Sequence, residues 1–333
     1  MNLLRKALLP FVPLYFLVTW IRNKCYDLRI YSSTSYDFPV ICIGNLSVGG
    51  TGKTPMVEYV IRLLLNQSKI AILSRGYKRK SKGFLLAKEG HNAEDLGDEP
   101  FQIFSKFKDI LVAVDANRRN GIEKLRNLNP KPEVIILDDA FQHRKVKAGL
   151  NILLTAYDDL FYKDILLPTG NLREPISGKH RADVIVVTKC PKNLNEKQKK
   201  DIIKKIKPKT HQTVCFSHIK YSDKVYNHIV NVNLKSLSNF TLVTGIANPK
   251  PLVNYLYNLD FNFEHLEFDD HHDFSKAELD LLSEKEMILT TEKDFVRLKK
   301  DERLKEKLFY LPIEIDINND EKFNFLIKTF INA

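Results

Sequence analysis

Gly44-Asn45-Leu46-Ser47-Val48-Gly49-Gly50-Thr51-Gly52-Lys53-Thr54-Pro55 is the stretch on which the reading of this chain turns. Before it, Phe38–Ile43 is an apolar run that reads as a strand; after it, Pro55–Leu65 (PMVEYVIRLLL) carries helical periodicity. A glycine-rich loop ending in Gly-Lys-Thr between a strand and a helix is the context a phosphate loop requires. Glycines let backbone N–H groups turn inward around phosphate oxygens, and the helix N-terminus adds partial positive charge. The spacing therefore predicts that Ser47, Val48, Gly49, Gly50, Thr51, Gly52, Lys53 and Thr54 cradle a nucleoside triphosphate. Lys53 would neutralise the β- and γ-phosphates, and Thr54 would place a hydroxyl on Mg²⁺. Ser47 stands where the full motif has glycine, and Gly49, Gly50 and Gly52 keep the turn open.

Outward from this loop, short apolar runs alternate with amphipathic segments. Further strands are expected at Lys69–Leu73, Ile110–Val114, Val134–Leu137 and Gly149–Ala156, then at Asp183–Val187, Thr213–Phe216, Thr241–Val243, Phe261–Phe268 and Met287–Thr290. Helices are expected at Pro249–Tyr257 and Lys276–Ser283, and a late strand at Phe309–Ile317. The alternation indicates an α/β fold: a mainly parallel sheet of the P-loop NTPase type with helices on both faces, followed by a second, smaller α/β lobe. The boundaries read as 1–24 for a hydrophobic N-terminal segment, 25–150 for the P-loop domain (completed by 315–333) and 151–314 for the second lobe.

Composition narrows the functional classes. The chain has 333 residues, 44% hydrophobic and 28% charged, enough to bury a core and unlike a disordered tail or a polytopic membrane protein. Lys and Arg outnumber Asp and Glu by 52 to 41, a net charge of +11 that asks for an anionic partner. Cys25, Cys42, Cys190 and Cys215 are scattered, without the spacing of a zinc site or a secreted disulfide framework. From Ala7 to Ile21 no residue is charged, and Arg5, Lys6, Arg22 and Lys24 flank the run. As a helix it would be about 22 Å long, short of the roughly 30 Å hydrocarbon core. With Tyr15 and Trp20 as interfacial anchors, it is expected to lie on an anionic membrane as a peripheral attachment. The lysine-rich run 192–209 contains no aromatic residue on which bases could stack, so nucleic acid is not an expected partner.

A strand ending in two carboxylates, Glu133–Asp139 (EVIILDD), supplies the acidic half of a nucleotide site: one of Asp138 and Asp139 can hold Mg²⁺ and the other can orient ligands. Thr188-Lys189-Cys190-Pro191 begins like the guanine-reading tetrad of GTP-binding proteins but has proline where the purine-reading aspartate belongs, so ATP is the expected nucleotide. Phosphoryl transfer to an alcohol needs a carboxylate or imidazole beside the acceptor hydroxyl. Gly97-Asp98-Glu99-Pro100, Phe141-Gln142-His143-Arg144 and Asp269-Asp270-His271-His272-Asp273 each offer candidates, and spacing alone does not choose among them.

Taken in order, GNLSVGGTGKTP, SRGYKRK (Ser74–Lys80), GDEP, DANRRNG (Asp115–Gly121), LDDAFQHR (Leu137–Arg144), LPTGNLREP (Leu167–Pro175), RADVIVVTK (Arg181–Lys189), TGIANP (Thr244–Pro249), DDHHDF and TEKDFVRL (Thr291–Leu298) resemble the tetraacyldisaccharide 4′-kinase (lipid A 4′-kinase) family. The resemblance implies a lipid kinase at the cytoplasmic face of a bacterial inner membrane. It would transfer the γ-phosphoryl group of ATP, with Mg²⁺, to a tetraacylated glucosamine disaccharide 1-phosphate in lipid A biosynthesis. It also implies Asp98 as catalytic base with His271 as its partner, with Lys53, Asp138 and Asp139 in the catalytic set. Thr54, Asp138 and Asp139 fall at the metal positions, and Tyr77 falls at the nucleotide or substrate pocket. Glu99, His143, Arg173 and Glu174 fall near the site. Two lobes joined by a two-stranded linker are implied as well, with linker strands near 150–156 and 309–317. A nucleic-acid-binding P-loop ATPase is the rival reading.

Overall fold

Val40–Asn45 form β1, and every residue of it is buried. Val40 and Cys42 enter one hydrophobic cluster while Ile41 and Ile43 enter another. Because successive side chains point to opposite faces, a strand covered on both sides must be apolar throughout, which is why this one reads as a continuous run. The computed structural model describes residues 3–270, 272–318 and 320–332, and it divides into two compact units: residues to Ile219 with those from Ile315 onward, and Lys220–Glu314.

The first unit opens with α1 (Leu3–Ala7) and α2 (Val12–Asp27), then β1 and α3 (Lys53–Leu64). Next come β2 (Ile70–Ser74), β3 (Leu85–Leu86), α4 (Ala93–Leu96), α5 (Asp98–Lys106), β4 (Leu111–Val114), α6 (Arg118–Arg126) and β5 (Val134–Asp138). It continues through β6 (Leu150–Ala156), β7 (Val184–Thr188), α7 (Glu196–Ile206) and β8 (Thr213–Tyr221). In the second unit, β9 (Lys224–Tyr226), β10 (Asn231–Asn233), β11 (Thr241–Thr244), α8 (Lys250–Tyr257), β12 (Glu264–Glu267), α9 (Lys276–Ser283), β13 (Ile288–Thr290), α10 (Glu292–Leu298) and β14 (Leu308–Tyr310) follow. β15 (Ile313–Asn318) and α11 (Asp320–Ile331) close the chain.

The larger sheet has nine strands in the order β15-β8-β7-β6-β1-β5-β2-β4-β3. β1 pairs in parallel with β5 on one side and β6 on the other. The chain leaves β1 toward β2 and later builds β6, β7 and β8 on the opposite side. β1 therefore sits where the winding reverses, the place where parallel α/β sheets bind ligands beyond their carboxyl ends. Met56, Val57, Val60, Ile61 and Leu64 of α3 close one face of β1.

The smaller sheet has the order β10-β9-β14-β13-β11-β12, with β14, β13, β11 and β12 mutually parallel. It has apolar clusters of its own, around Leu242, Leu256 and Leu289 and around Val243, Ile288 and Leu308.

Two expected boundaries shift. The 150–156 strand is not a linker: it is β6, in register between β1 and β7 at the centre of the larger sheet. Six of its seven residues are buried, the burial of a core strand rather than a connection. The 309–317 run is not one strand. Pro312, which has no N–H to offer a ladder, falls between β14 in the smaller sheet and β15 in the larger. The chain divides within β8 and β15, so residues 151–219 belong to the first unit and not to the second lobe.

The N-terminal helix expected over 1–24 is α1 and α2, with residues 1–2 outside the described part. Among the described residues, no helix is long and apolar enough to cross a membrane.

Candidate active site

The phosphate loop leaves β1 with two of its polar side chains already engaged. The Asn45 side-chain amide donates to Thr51 Oγ1 at 2.8 Å inside the loop, and Gly52 turns into α3 with φ +81°. A second segment runs alongside: Val48 N–H donates to the Asn171 carbonyl (2.8 Å) and Arg173 N–H to the Leu46 carbonyl (2.7 Å). The LPTGNLREP stretch is therefore the wall of the phosphate loop.

Asp138 and Asp139 follow at the end of β5, and their environments differ. Asp138 is 6% exposed, and Ser74 Oγ donates to it at 3.2 Å. Burial, then repulsion from Asp139 and Glu99, outweighs Lys53 and Arg118 and pushes its pKa up to about 6. For Asp139 burial acts in the same direction, but Lys53 and Arg173 overcome it and hold the carboxyl below its ordinary range. The geometry agrees: Lys53 Nζ lies 3.7 Å from Asp139 Oδ1, and the Arg173 guanidinium spans both carboxylate oxygens at 2.9 and 3.2 Å. Arg173 also donates to Asn45 Oδ1 and the Ser47 carbonyl. One guanidinium thus ties the acidic strand end to the loop, a bidentate arrangement for which Arg suits better than Lys.

Asp98 and Glu99 occupy the first turn of α5, both half-buried, where a helix N-terminus favours carboxylates. Two glycines bring that turn against the loop after β2. Gly76 and Gly97 both have positive φ (+69° and +91°). A β-carbon on Gly76 would lie 2.8 Å from the Leu96 carbonyl oxygen, and one on Gly97 would lie 2.9 Å from that of Tyr77. The Tyr77 backbone therefore passes against Gly97, the residue before Asp98, and Tyr77 itself is 65% exposed.

Beyond the Asp pair, the Gln142 side-chain amide donates to the Asn45 carbonyl (2.8 Å) and to Glu174 (3.0 Å), while Arg181 pairs with the same Glu174 at 2.7 Å. His143 Nε2 is buried without a hydrogen-bond partner. Burial, then Arg118, Lys145, Arg22 and Arg75, lowers its pKa to about 4, so it is neutral near pH 7. The helix α2 docks on these same loops. Tyr15 donates to the Arg173 carbonyl (2.9 Å), Asn23 to Glu174 (2.8 Å), and Arg22 to the Gln142 carbonyl (2.8 Å). Leu14, Leu17, Val18, Trp20 and Ile21 remain exposed on α2.

A model of one family, LpxK, tetraacyldisaccharide-1-P 4′-kinase, matches residues 4–332. The chain belongs to the tetraacyldisaccharide 4′-kinase family.

Two members show how close the likeness is. The tetraacyldisaccharide 4′-kinase of Flavobacterium johnsoniae is 55% identical over 338 residues, covering 99% of this chain and 98% of its own. That of Phocaeicola vulgatus is 44% identical over 98% of this chain and 95% of its own. A crystal structure of Aquifex aeolicus LpxK in complex with ATP superposes with a TM-score of 0.79 at 33% identity, covering 99% of this chain and 100% of that one. The α/β fold with its P-loop sheet is the fold of this kinase family.

Within the first unit, the residues expected from sequence converge: Ser47 to Thr54, Asp98, Glu99, Asp138, Asp139, His143, Arg173 and Glu174 gather beyond the carboxyl ends of β1, β2 and β5. His271 lies outside the described residues. Its neighbour His272 is bound to Glu278 at 3.0 and 3.1 Å and stacked on Phe268. The His272 hydrogen bond is the largest cause holding the Glu278 carboxyl at about 2.

Sequence reading assigned no role to Asn45, Arg118 or Thr188. Arg118, 2% exposed, donates to the carbonyls of Asp115 and Asp138. Asn45 and Thr188 are polar residues at the ends of apolar strands, and that mismatch is the signal that could have found them; Arg118, in the polar run that opens α6, carries no such signal.

Proposed function

We propose that this member of the tetraacyldisaccharide 4′-kinase family transfers the γ-phosphoryl group of ATP to the 4′-hydroxyl of a tetraacylated glucosamine disaccharide 1-phosphate, a step of lipid A biosynthesis. The observation that carries the reading is the joining of the phosphate loop to the Asp138–Asp139 strand end through Lys53 and Arg173, in a chain whose family model matches residues 4–332. Backbone N–H groups of the loop and the α3 N-terminus receive the phosphates, and Lys53 neutralises their charge. The acceptor oxygen forms a bond to the γ-phosphorus while the bond to the bridging oxygen breaks, and ADP leaves. The hydroxyl proton passes to Asp98, a carboxylate at a helix N-terminus. His271 is assigned as its partner by the motif order of DDHHDF. Tyr77 borders the nucleotide or substrate beside Asp98. Glu99, His143 and Glu174 hold the surroundings of the carboxylates and the loop.

Thr54, Asp138 and Asp139 offer hard oxygen donors that would hold Mg²⁺, and the cation would offset the negative charge of the phosphates. Among the described residues no cluster of three or more His, Cys, Asp or Glu side chains could hold a metal by itself. Mg²⁺ in kinase sites relies on one or two carboxylates plus substrate oxygens. Work on an acylated headgroup calls for a membrane surface. The exposed apolar side of α2, flanked by basic residues, fits a peripheral attachment to the cytoplasmic face of the inner membrane.

The test is a transfer assay with ATP radiolabelled on its γ-phosphorus, Mg²⁺ and the tetraacylated disaccharide 1-phosphate in detergent. A labelled lipid is expected, absent with Lys53→Ala. Asp98→Ala and His271→Ala should lose most transfer while keeping ATP binding. Brisk ATP hydrolysis without labelled lipid would refute the acceptor; unaltered transfer by Asp98→Ala would remove it as the base.

A further inference from the structure

Thr188 ends β7, two strands from the phosphate loop, Lys189 follows it, and neither takes part in the chemistry above. Their geometry is specific. Thr188 is 1% exposed, and its hydroxyl donates to the Thr51 carbonyl of the phosphate loop at 2.8 Å. On the other side the Cys190 N–H donates to the Ser217 carbonyl at 2.9 Å. Between these two fixed points Lys189 has φ +56°, a left-handed conformation that residues bearing a β-carbon rarely adopt. Such backbone outliers persist where the surroundings enforce them and cluster at ligand sites. The consequence is positional: Lys189 is exposed, yet its Nζ lies 3.6 Å from where a β-carbon on Gly50 would stand. The lysine stem thus reaches from the end of β7 to the middle of the phosphate loop, across the end of β6.

From this we infer that Lys189 is the platform for the nucleobase of the bound nucleotide: its four-carbon stem lies against one face of the purine while its amine stays at the phosphate loop. Thr188 is the positioning residue that locks this platform to the loop. A lysine stem is apolar along its length and can cover a flat aromatic face, and its charge adds a cation–π attraction. Two residues on, Pro191 offers no side-chain acceptor for the N1–H and amino group that mark guanine, so the platform takes a purine face without selecting guanine. This inference rests on the proposed nucleotide site but not on the identity of the phosphoryl acceptor.

The test measures binding to the full chain with Mg²⁺ and no lipid, using two probes: ATP and inorganic tripolyphosphate, which has the phosphates without the base. Wild type, Lys189→Ala, Lys189→Met and Lys53→Ala are compared. Lys189→Ala is expected to weaken ATP about tenfold, the scale of losing one stacked base, and tripolyphosphate by less than about twofold. Lys189→Met keeps a stem of similar length without the charge, and should stay within about threefold of wild type for ATP. Lys53→Ala should weaken both probes. Equal weakening of ATP and tripolyphosphate by Lys189→Ala would make Lys189 a phosphate-binding cation and overturn the proposal. So would a Met variant as weak as the Ala variant, or no effect of either. A wild-type protein that binds neither probe would overturn the nucleotide site itself, an outcome distinct from binding that ignores Lys189.

Discussion

His143 carries a consequence that acid should expose. Its neutral form is favoured by burial and by the cations Arg118, Lys145, Arg22 and Arg75 around it, and its pKa falls to about 4. In the unfolded chain the same imidazole titrates near its ordinary value of about 6.5. Between those values the unfolded state binds a proton that the folded state refuses. The contribution of His143 is therefore present above pH 6.5 and is lost as pH falls toward 4. His143→Gln, which never titrates, should lose less melting temperature than wild type between pH 7 and pH 5; an equal or larger loss would show that His143 does not drive this acid sensitivity. At this scale the sequence was legible wherever chemistry needs a particular residue type at a particular spacing, as at Lys53 and Asp138. It was silent on Asn45, Arg118 and Thr188, because their partners Thr51, Asp115 and Asp138, and again Thr51 are chosen by three-dimensional proximity.

At the scale of elements, α3 and α5 form a couple. Glu58 on α3 is 1% exposed. Its carboxylate meets Lys106 Nζ at 2.7 Å and the side-chain amide of Gln102 at 3.3 Å, both on α5, and Arg62 at 3.0 Å on its own helix. The helix that begins at the phosphate loop is thereby fixed to the helix whose first turn carries Asp98. Removing one partner of a buried ion pair leaves the other charge uncompensated. Glu58→Ala should therefore destabilise the protein by about 3–5 kcal/mol in denaturant unfolding. Glu58→Gln, which keeps the contact with Gln102, should cost less. A loss below about 1 kcal/mol for the alanine variant would mean that the pair does little to hold α3 to α5. Helix periodicity at Pro55–Leu65 announced α3, but an acidic residue on its apolar side gave no hint of the partner across the gap.

At the scale of the whole molecule, the N-terminal helix has two unlike sides: Tyr15, Arg22 and Asn23 grip the loops at 142 and 173–174, while Leu14, Leu17, Val18 and Ile21 face outward. A chain starting at residue 28 should sediment far less with vesicles containing anionic lipid; co-sedimentation equal to the full chain would refute the attachment. Loss of the Tyr15 and Asn23 contacts should at the same time loosen the wall of the phosphate loop, raising the ATP Kd modestly. The order of elements, the parallel α/β class, the phosphate loop and the family were all readable in the chain. Each is local: the continuous apolar run of β1, glycines at fixed spacing, carboxylates at a strand end. The division of the chain was not. The strand at 150–156 looks like any other short apolar run, and only pairing with β1 and β7 makes it a central strand. Likewise, nothing local distinguishes Asp138 from Asp139. Tertiary packing buries the first in the sheet and hands the second to Lys53 and Arg173, because burial and long-range charge belong to the folded surroundings and not to neighbours in the chain.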